Sequence, residues 1–170
     1  MTDPILSTPR LTLRMPRPGD LQGLFSIYGT PAAMRYWSTP PHSLDDTRAF
    51  LDTYLERSAE RPSYFIFEHK GRVIGTGGLH SGTEVGYILH PDFWRQGFVT
   101  EGMSAIIPYV FDTWDLPKLT ADIDPRNHAS AASLRRLGFE KTGSARNTFC
   151  VAGEWSDSWY YTLWRDQRPS

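Results

Sequence analysis

The stretch at 87–114, Y-I-L-H-P-D-F-W-R-Q-G-F-V-T-E-G-M-S-A-I-I-P-Y-V-F-D-T-W, constrains this chain more than any other. It reads as a strand, a tight loop and an amphipathic helix. The strand stops at His90-Pro91, because proline cannot continue the ladder of a central strand. The loop carries Arg95, Gln96 and Gly97, and the helix begins near Phe98 or Thr100. Met103, Ile106, Ile107, Val110, Phe111 and Trp114 then recur at the spacing of one helical face. Pro108 lies inside that helix, removes one backbone donor and predicts a kink. A short loop feeding a helix presents free amides and the positive end of the macrodipole, which together suit a phosphate. Gly97 lets a ligand approach the backbone, while Arg95 and Gln96 add donors. An ordinary strand–turn–helix connection carries the same residues, so this stretch by itself leaves both readings open.

The flanking segments set the fold class. Residues 10–15 alternate as a first strand, and Leu21, Leu24, Phe25 and Tyr28 mark a short amphipathic helix. S-L-D-D at 43–46 is a capping box. It opens a helix to about Ala59 with Phe50, Leu51, Tyr54 and Leu55 inward. Strands at 64–68 and 72–79 flank the hairpin turn Lys70-Gly71, and 84–89 is the next strand. On that strand Glu84, Gly86 and Ile88 share one face, and Val85, Tyr87 and Leu89 the other. Beyond the central helix come a strand at 118–124 and a helix capped by Asn127 and stopped by Gly138. Closing strands follow at 139–146 and 158–164. The order β-α-α-β-β-β-α-β-α-β-β predicts a single α+β domain over 1–170 around one mixed sheet.

Composition narrows the function. The 170 residues are 39% apolar and 14% aromatic, enough for one domain with a real core. A net charge of −1 argues against a general nucleic-acid partner, which needs a basic face. No apolar run is long enough to span a bilayer, and the opening residues lack the pattern of a secretory signal. The single Cys150 excludes an internal disulfide, so a cytoplasmic setting is expected. That cysteine reads as buried rather than nucleophilic. The five histidines show no metal-ligand spacing, so no metal is expected. G-T-G-G at 75–78 lies inside a strand, so it reads as close packing or a bulge rather than a dinucleotide fingerprint.

Several blocks carry a family resemblance. They are Gly86-Tyr87, Pro91, Trp94, Gly97-Phe98, Thr100-Glu101-Gly102, the opening S-T-P-R-L-T-L-R, and N-H-A-S-A-A-S-L-R-R-L-G-F at 127–139. Together they resemble the GNAT superfamily of acyltransferases, in its RimJ/RimL-like branch, over nearly the whole chain. Trp94 stands where the wider superfamily has Gln or Arg, and Val99 where it has Gly or Ala. The resemblance implies a mostly antiparallel twisted sheet flanked by about four helices. It implies that backbone groups of Arg95, Gln96, Gly97, Phe98, Val99 and Thr100 hold the pyrophosphate of acetyl-CoA. Leu89 and His90 would pair with the pantetheine arm, beside a strand splayed from its neighbour. Asn127 would bond that arm or serve only as an N-cap, and Arg135-Arg136 would meet a phosphate or face solvent.

The implied reaction is direct attack of an amine on a thioester. Ser130 matches the family's serine near the sulfur and is the candidate acid; it is otherwise a first-turn serine. The tyrosine that other relatives use falls at Leu134. Glu84 is the candidate base, with Asp157 and Glu154 as alternatives. Tyr36 and Trp37 line the acceptor pocket or pack beneath a loop. The expected acceptor is a protein N-terminus or a small amine. The alternatives are an inactive CoA-binding sensor or interaction module, and a transferase for a larger acyl group. No nucleic acid or membrane is expected as a partner, and a homodimer is possible through edge strands and the aromatic C-terminal hairpin.

Overall fold

A tight hairpin seeds the sheet. Lys70 and Gly71 both take positive φ, which turns Tyr64–His69 (β3) back onto Arg72–Ser81 (β4). The structure, a computed structural model, describes residues 2–168; Met1, Pro169 and Ser170 of the expected 1–170 domain lie outside the described residues. Leu6–Ser7 (β1) and Thr12–Arg14 (β2) add antiparallel strands outside β3. On the other side of β4 come Glu84–Leu89 (β5) and Lys118–Ile123 (β6). The hairpin of Glu140–Val151 (β7) and Glu154–Trp164 (β8) closes the sheet. The spatial order is β1-β2-β3-β4-β5-β6-β8-β7, and only the β5–β6 neighbours run parallel. The mixed, mostly antiparallel α+β architecture matches the sequence reading. Five helices accompany it among the described residues rather than about four, because Pro31–Met34 forms one extra turn.

Strand alternation builds a core on each face. Phe65 and Phe67 of β3 point to one side and Ile66 to the other, all fully buried. The first face is covered by Phe98–Trp114 (α4) and His128–Arg136 (α5), whose Met103, Ile106, Val110, Phe111, Ala131 and Leu134 join the Phe67 cluster. The second is covered by Leu21–Tyr28 (α1), Pro31–Met34 (α2) and Leu44–Glu60 (α3). Ser43 opens α3 as a reciprocal box: its Oγ accepts from the Asp46 amide at 3.0 Å, and Asp46 accepts from the Ser43 amide at 2.9 Å. The α4 helix runs unbroken through Pro108.

The glycine run in β4 is close packing. A Cβ on Gly77 would stand 2.9 Å from Phe67 Cζ and 3.0 Å from Met103 Sδ, and a Cβ on Gly102 would stand 2.7 Å from the same ring. Glycines on β4 and α4 thus clear the space that Phe67 fills.

Two readings need correction. The closing strands reach inward to Val151 and Glu154, well past 146 and 158. Cys150 is exposed, not buried, because β7 is an edge strand without a covering helix.

Candidate active site

The sheet opens between β5 and β6. Glu84 and Thr120 form their one paired position, and a bond from the Thr120 amide to the Thr83 carbonyl lies at its base. Beyond it β5 continues to Leu89 while pairing only with β4. Its other edge is therefore a row of unspent backbone groups. The His90 amide donates to the Ile74 carbonyl, and the His90 carbonyl accepts from Phe93. Both backbone groups of His90 are engaged inside the protein. By alternation, those of Leu89 and Tyr87 turn to the open edge. The Leu89 carbonyl already accepts from the Trp94 indole at 2.9 Å.

The loop that follows is stapled internally. His90 Nδ1 accepts from the Asp92 amide and Gln96 Nε2 donates to the Asp92 carbonyl. The Phe93 and Phe98 rings meet at 5.9 Å. Arg95 and Gly97 both take positive φ. Glycine adopts this freely, whereas at Arg95 it is unusual. Gly97 is the N-cap of α4 and supplies no capping side chain. The first helical bond runs from the Glu101 amide to the Gly97 carbonyl. The amides of Phe98, Val99 and Thr100 therefore sit at an uncapped helix start. The Phe98 side chain is core, so only its backbone is available. Arg95 and Gln96 are exposed beside it. This geometry fits a pyrophosphate.

Ser130 sits in the first turn of α5. Asn127 caps that helix through Oδ1, which accepts from the Ser130 amide at 3.2 Å. The Ser130 hydroxyl lies 2.8 Å from the phenol oxygen of Tyr87, and the Ser130 carbonyl lies 3.2 Å from the same phenol oxygen. Burial pushes the Tyr87 phenol well above its ordinary range. The sequence placed Tyr87 on this face of β5 but gave no sign that it meets Ser130, 43 residues away. Leu134 is fully buried core.

Glu84 approaches from the opposite face, the side of Ile88 and the second core. Burial raises its pKa, and the Asp122 carboxylate raises it further. Asp122, on β6, was not singled out from the sequence. It is itself raised by burial, with Ser158 acting against the shift. Its Oδ1 is buried without a hydrogen-bond partner among the described residues. Two carboxylates thus stand where the sheet opens, one with an unanswered acceptor. The other acidic candidates are engaged elsewhere. Glu154 pairs with Arg126 at 2.6 Å, and Asp157 accepts from the Asn147 amide at 2.9 Å.

Tyr36 lies under the Arg126 guanidinium at 5.7 Å, and Arg126 is anchored by Asp124 at 2.6 Å. Trp37 instead packs edge-on against Tyr28 at 5.8 Å, as part of the second core. Arg135 and Arg136 are exposed. Among the described residues, no group of three or more His, Cys, Asp or Glu is placed to hold a metal, and no helix is long and apolar enough to cross a membrane.

A sheet opened beside an uncapped helix start, with hydroxyl and carboxylate on opposite faces, suits transfer of an acyl group to a nucleophile. Residues 10–140 match the family described as acetyltransferase (GNAT) domain. The chain belongs to the GNAT acetyltransferase family and is an acyltransferase. The uncharacterized N-acetyltransferase p20 of Bacillus licheniformis is 30% identical over 169 residues, covering 93% of this chain and 94% of its own. The [ribosomal protein uS5]-alanine N-acetyltransferase of Escherichia coli is 33% identical over 73 residues, covering 43% of this chain and 38% of its own. The structure of RimL, the ribosomal L7/L12 alpha-N-protein acetyltransferase, in complex with coenzyme A superposes with a TM-score of 0.86. The match has 18% identity and covers 96% of this chain and 99% of that one. These relatives support the RimJ/RimL-like branch.

Proposed function

We propose that the protein is an acetyl-CoA-dependent N-acetyltransferase whose acceptor is a primary amine, either a protein N-terminus or a small amine. The observation that carries this is the opened β5–β6 edge, with Ser130 on one face, Glu84 on the other and the uncapped α4 start alongside. The amides of residues 95–100 would hold the pyrophosphate, and the backbone of Leu89 and Tyr87 the pantetheine arm. Acetyl-CoA supplies a thioester whose carbonyl carbon takes the amine nitrogen while its sulfur leaves with the bonding electron pair. Glu84 takes a proton from the amine, directly or through a water. Ser130 donates its proton to the departing sulfur. Asn127 holds the start of α5, and with it Ser130, in place.

Thermal unfolding with acetyl-CoA, against NADH and ATP as controls, tests this. At about a hundredfold excess over Kd, binding adds ~2.7 kcal/mol. In a chain of this size that raises Tm by roughly 5–10 °C. No selective rise at millimolar acetyl-CoA removes the reading, and single-turnover acetylation separates an enzyme from a pure binder.

The loop makes its own prediction. Gly97→Val forces a β-branched residue to φ +79°. Relieving ~1–3 kcal/mol of strain moves the loop amides. The Kd for acetyl-CoA, read by calorimetry, is then expected to rise ~10–100-fold. An unchanged Kd would show that these amides do not hold the phosphates.

A further inference from the structure

Two hydroxyls meet at the opened edge with one proton each, and their arrangement decides what Ser130 can do. Tyr87 lies 2.8 Å from Ser130 Oγ and 3.2 Å from the Ser130 carbonyl. In one arrangement the phenol donates to Oγ and the serine proton stays free. In the other the serine donates to the phenol oxygen, and the phenol donates to the carbonyl. The second spends the serine proton inside the pair, so nothing remains for a leaving sulfur. The first places the phenol, the stronger acid, as donor along the shorter contact. Ser130 Oγ has no other hydrogen-bond partner among the described residues.

We infer that Tyr87 is a positioning residue: its phenol donates to Ser130 Oγ and leaves the serine proton free for the sulfur of the acyl donor. The inference rests on the acetyl-transfer reading above. Tyr87 comes from β5 and Ser130 from the first turn of α5, so the contact also fixes the helix start against the opened strand. Burial keeps the phenol protonated, and therefore a donor, throughout the working range of pH. As the C–S bond breaks, its electron pair goes to sulfur and the Ser130 proton follows. The phenol's hydrogen bond stabilises the charge that develops on Oγ. Solvent returns a proton to Ser130, while the proton taken from the amine leaves through Glu84. The cycle closes without oxidant or reductant, and Tyr87 keeps its own proton.

The test is a double-mutant cycle in the full chain, using acetyl-CoA with a panel of α-amino peptides and alkylamines and following thiol release. Tyr87→Phe removes one oxygen and keeps the ring. It is expected to lower kcat ~10-fold, the loss of about one hydrogen bond. KM for acetyl-CoA and its calorimetric Kd should stay within about twofold of wild type. Ser130→Ala is expected to lower kcat ~100-fold. The double variant should lose no more than Ser130→Ala alone, since a residue acting through Ser130 has nothing left to position. Additive losses, a change confined to KM, or a Ser130→Ala variant as fast as wild type each overturn the inference. A wild-type protein that binds acetyl-CoA yet acetylates no amine strikes the functional reading instead, so the two failures are distinguishable.

Discussion

Glu84→Gln is expected to lower kcat/KM for a lysine-like amine at pH 7 by ~10²–10⁴-fold, and for an α-amino acceptor by roughly tenfold. The difference comes from the acceptor. A lysine amine near pKa ~10.4 is almost wholly protonated at pH 7, whereas an α-amine near ~8 is neutral about one time in ten. The first depends on a base and the second largely does not. Burial and the Asp122 carboxylate both hold the Glu84 pKa above the ordinary glutamate value. A protonated Glu84 cannot accept, so kcat/KM should rise with pH as Glu84 ionises, with its inflection shifted upward from the ordinary glutamate value by burial and by Asp122. Glu84→Gln should erase that limb and leave only the limb set by the amine itself. A variant that keeps the acidic limb unchanged would remove Glu84 as the base and direct attention to Asp122. The size of the loss across a series of amines also ranks the acceptor classes.

Much of the fold was legible because its signals are local. Lys70-Gly71 needs two positive φ values and obtains them; Ser43 and Asp46 form the box their spacing implies. Gly138 takes a positive φ where α5 stops. The Tyr87–Trp114 stretch folds as strand, loop and helix for the same reason. The β7–β8 extension was not legible. Bulges between Lys141 and Gly143 and between Ala145 and Phe149 break the alternation of two. Much of the arm is solvent-exposed on both faces, so burial imposes no pattern on it; Trp155 and Cys150 both stand in solvent.

The site divides along the same line. Gly97, Asn127 and Ser130 carry their geometry in their own turns. Asp122 and the Tyr87–Ser130 contact depend on which strand and helix lie beside β5, which no local spacing encodes. His90 shows the converse. It sits in a recognisable block, yet strand alternation turns its amide to β4 rather than to the opening. Trp37, open to either reading from sequence, is drawn to the second core by Tyr28.

Asp20→Ala is expected to destabilise the fold by ~3 kcal/mol and lower Tm by about 6–12 °C. Arg14 and Asp20 are only 5% and 6% exposed. The Arg14 guanidinium meets both Asp20 oxygens, at 2.8 and 2.9 Å, and Glu68 at 2.8 Å. Asp20 also accepts from the Arg17 amide at 2.7 Å, which closes the turn leading into α1. Removing Asp20 strands the Arg14 Nη2 in the interior and leaves Nη1 with the Met15 carbonyl alone, while Glu68 compensates only part of the guanidinium charge. The pair need not be net stabilising for this to hold, because desolvating two charges offsets most of their attraction. The double replacement Arg14→Met with Asp20→Leu leaves no buried charge, and its Tm should lie above that of Asp20→Ala alone. If the double variant unfolds at a lower temperature than Asp20→Ala, the hydrogen-bonded geometry stabilises beyond its charge. The pair fixes the α1 entry against β2, on the face from which Glu84 reaches the opened edge. Asp20→Ala, assayed below its own Tm, should therefore lose more in KM for the amine than in Kd for acetyl-CoA, whose proposed site lies at the start of α4.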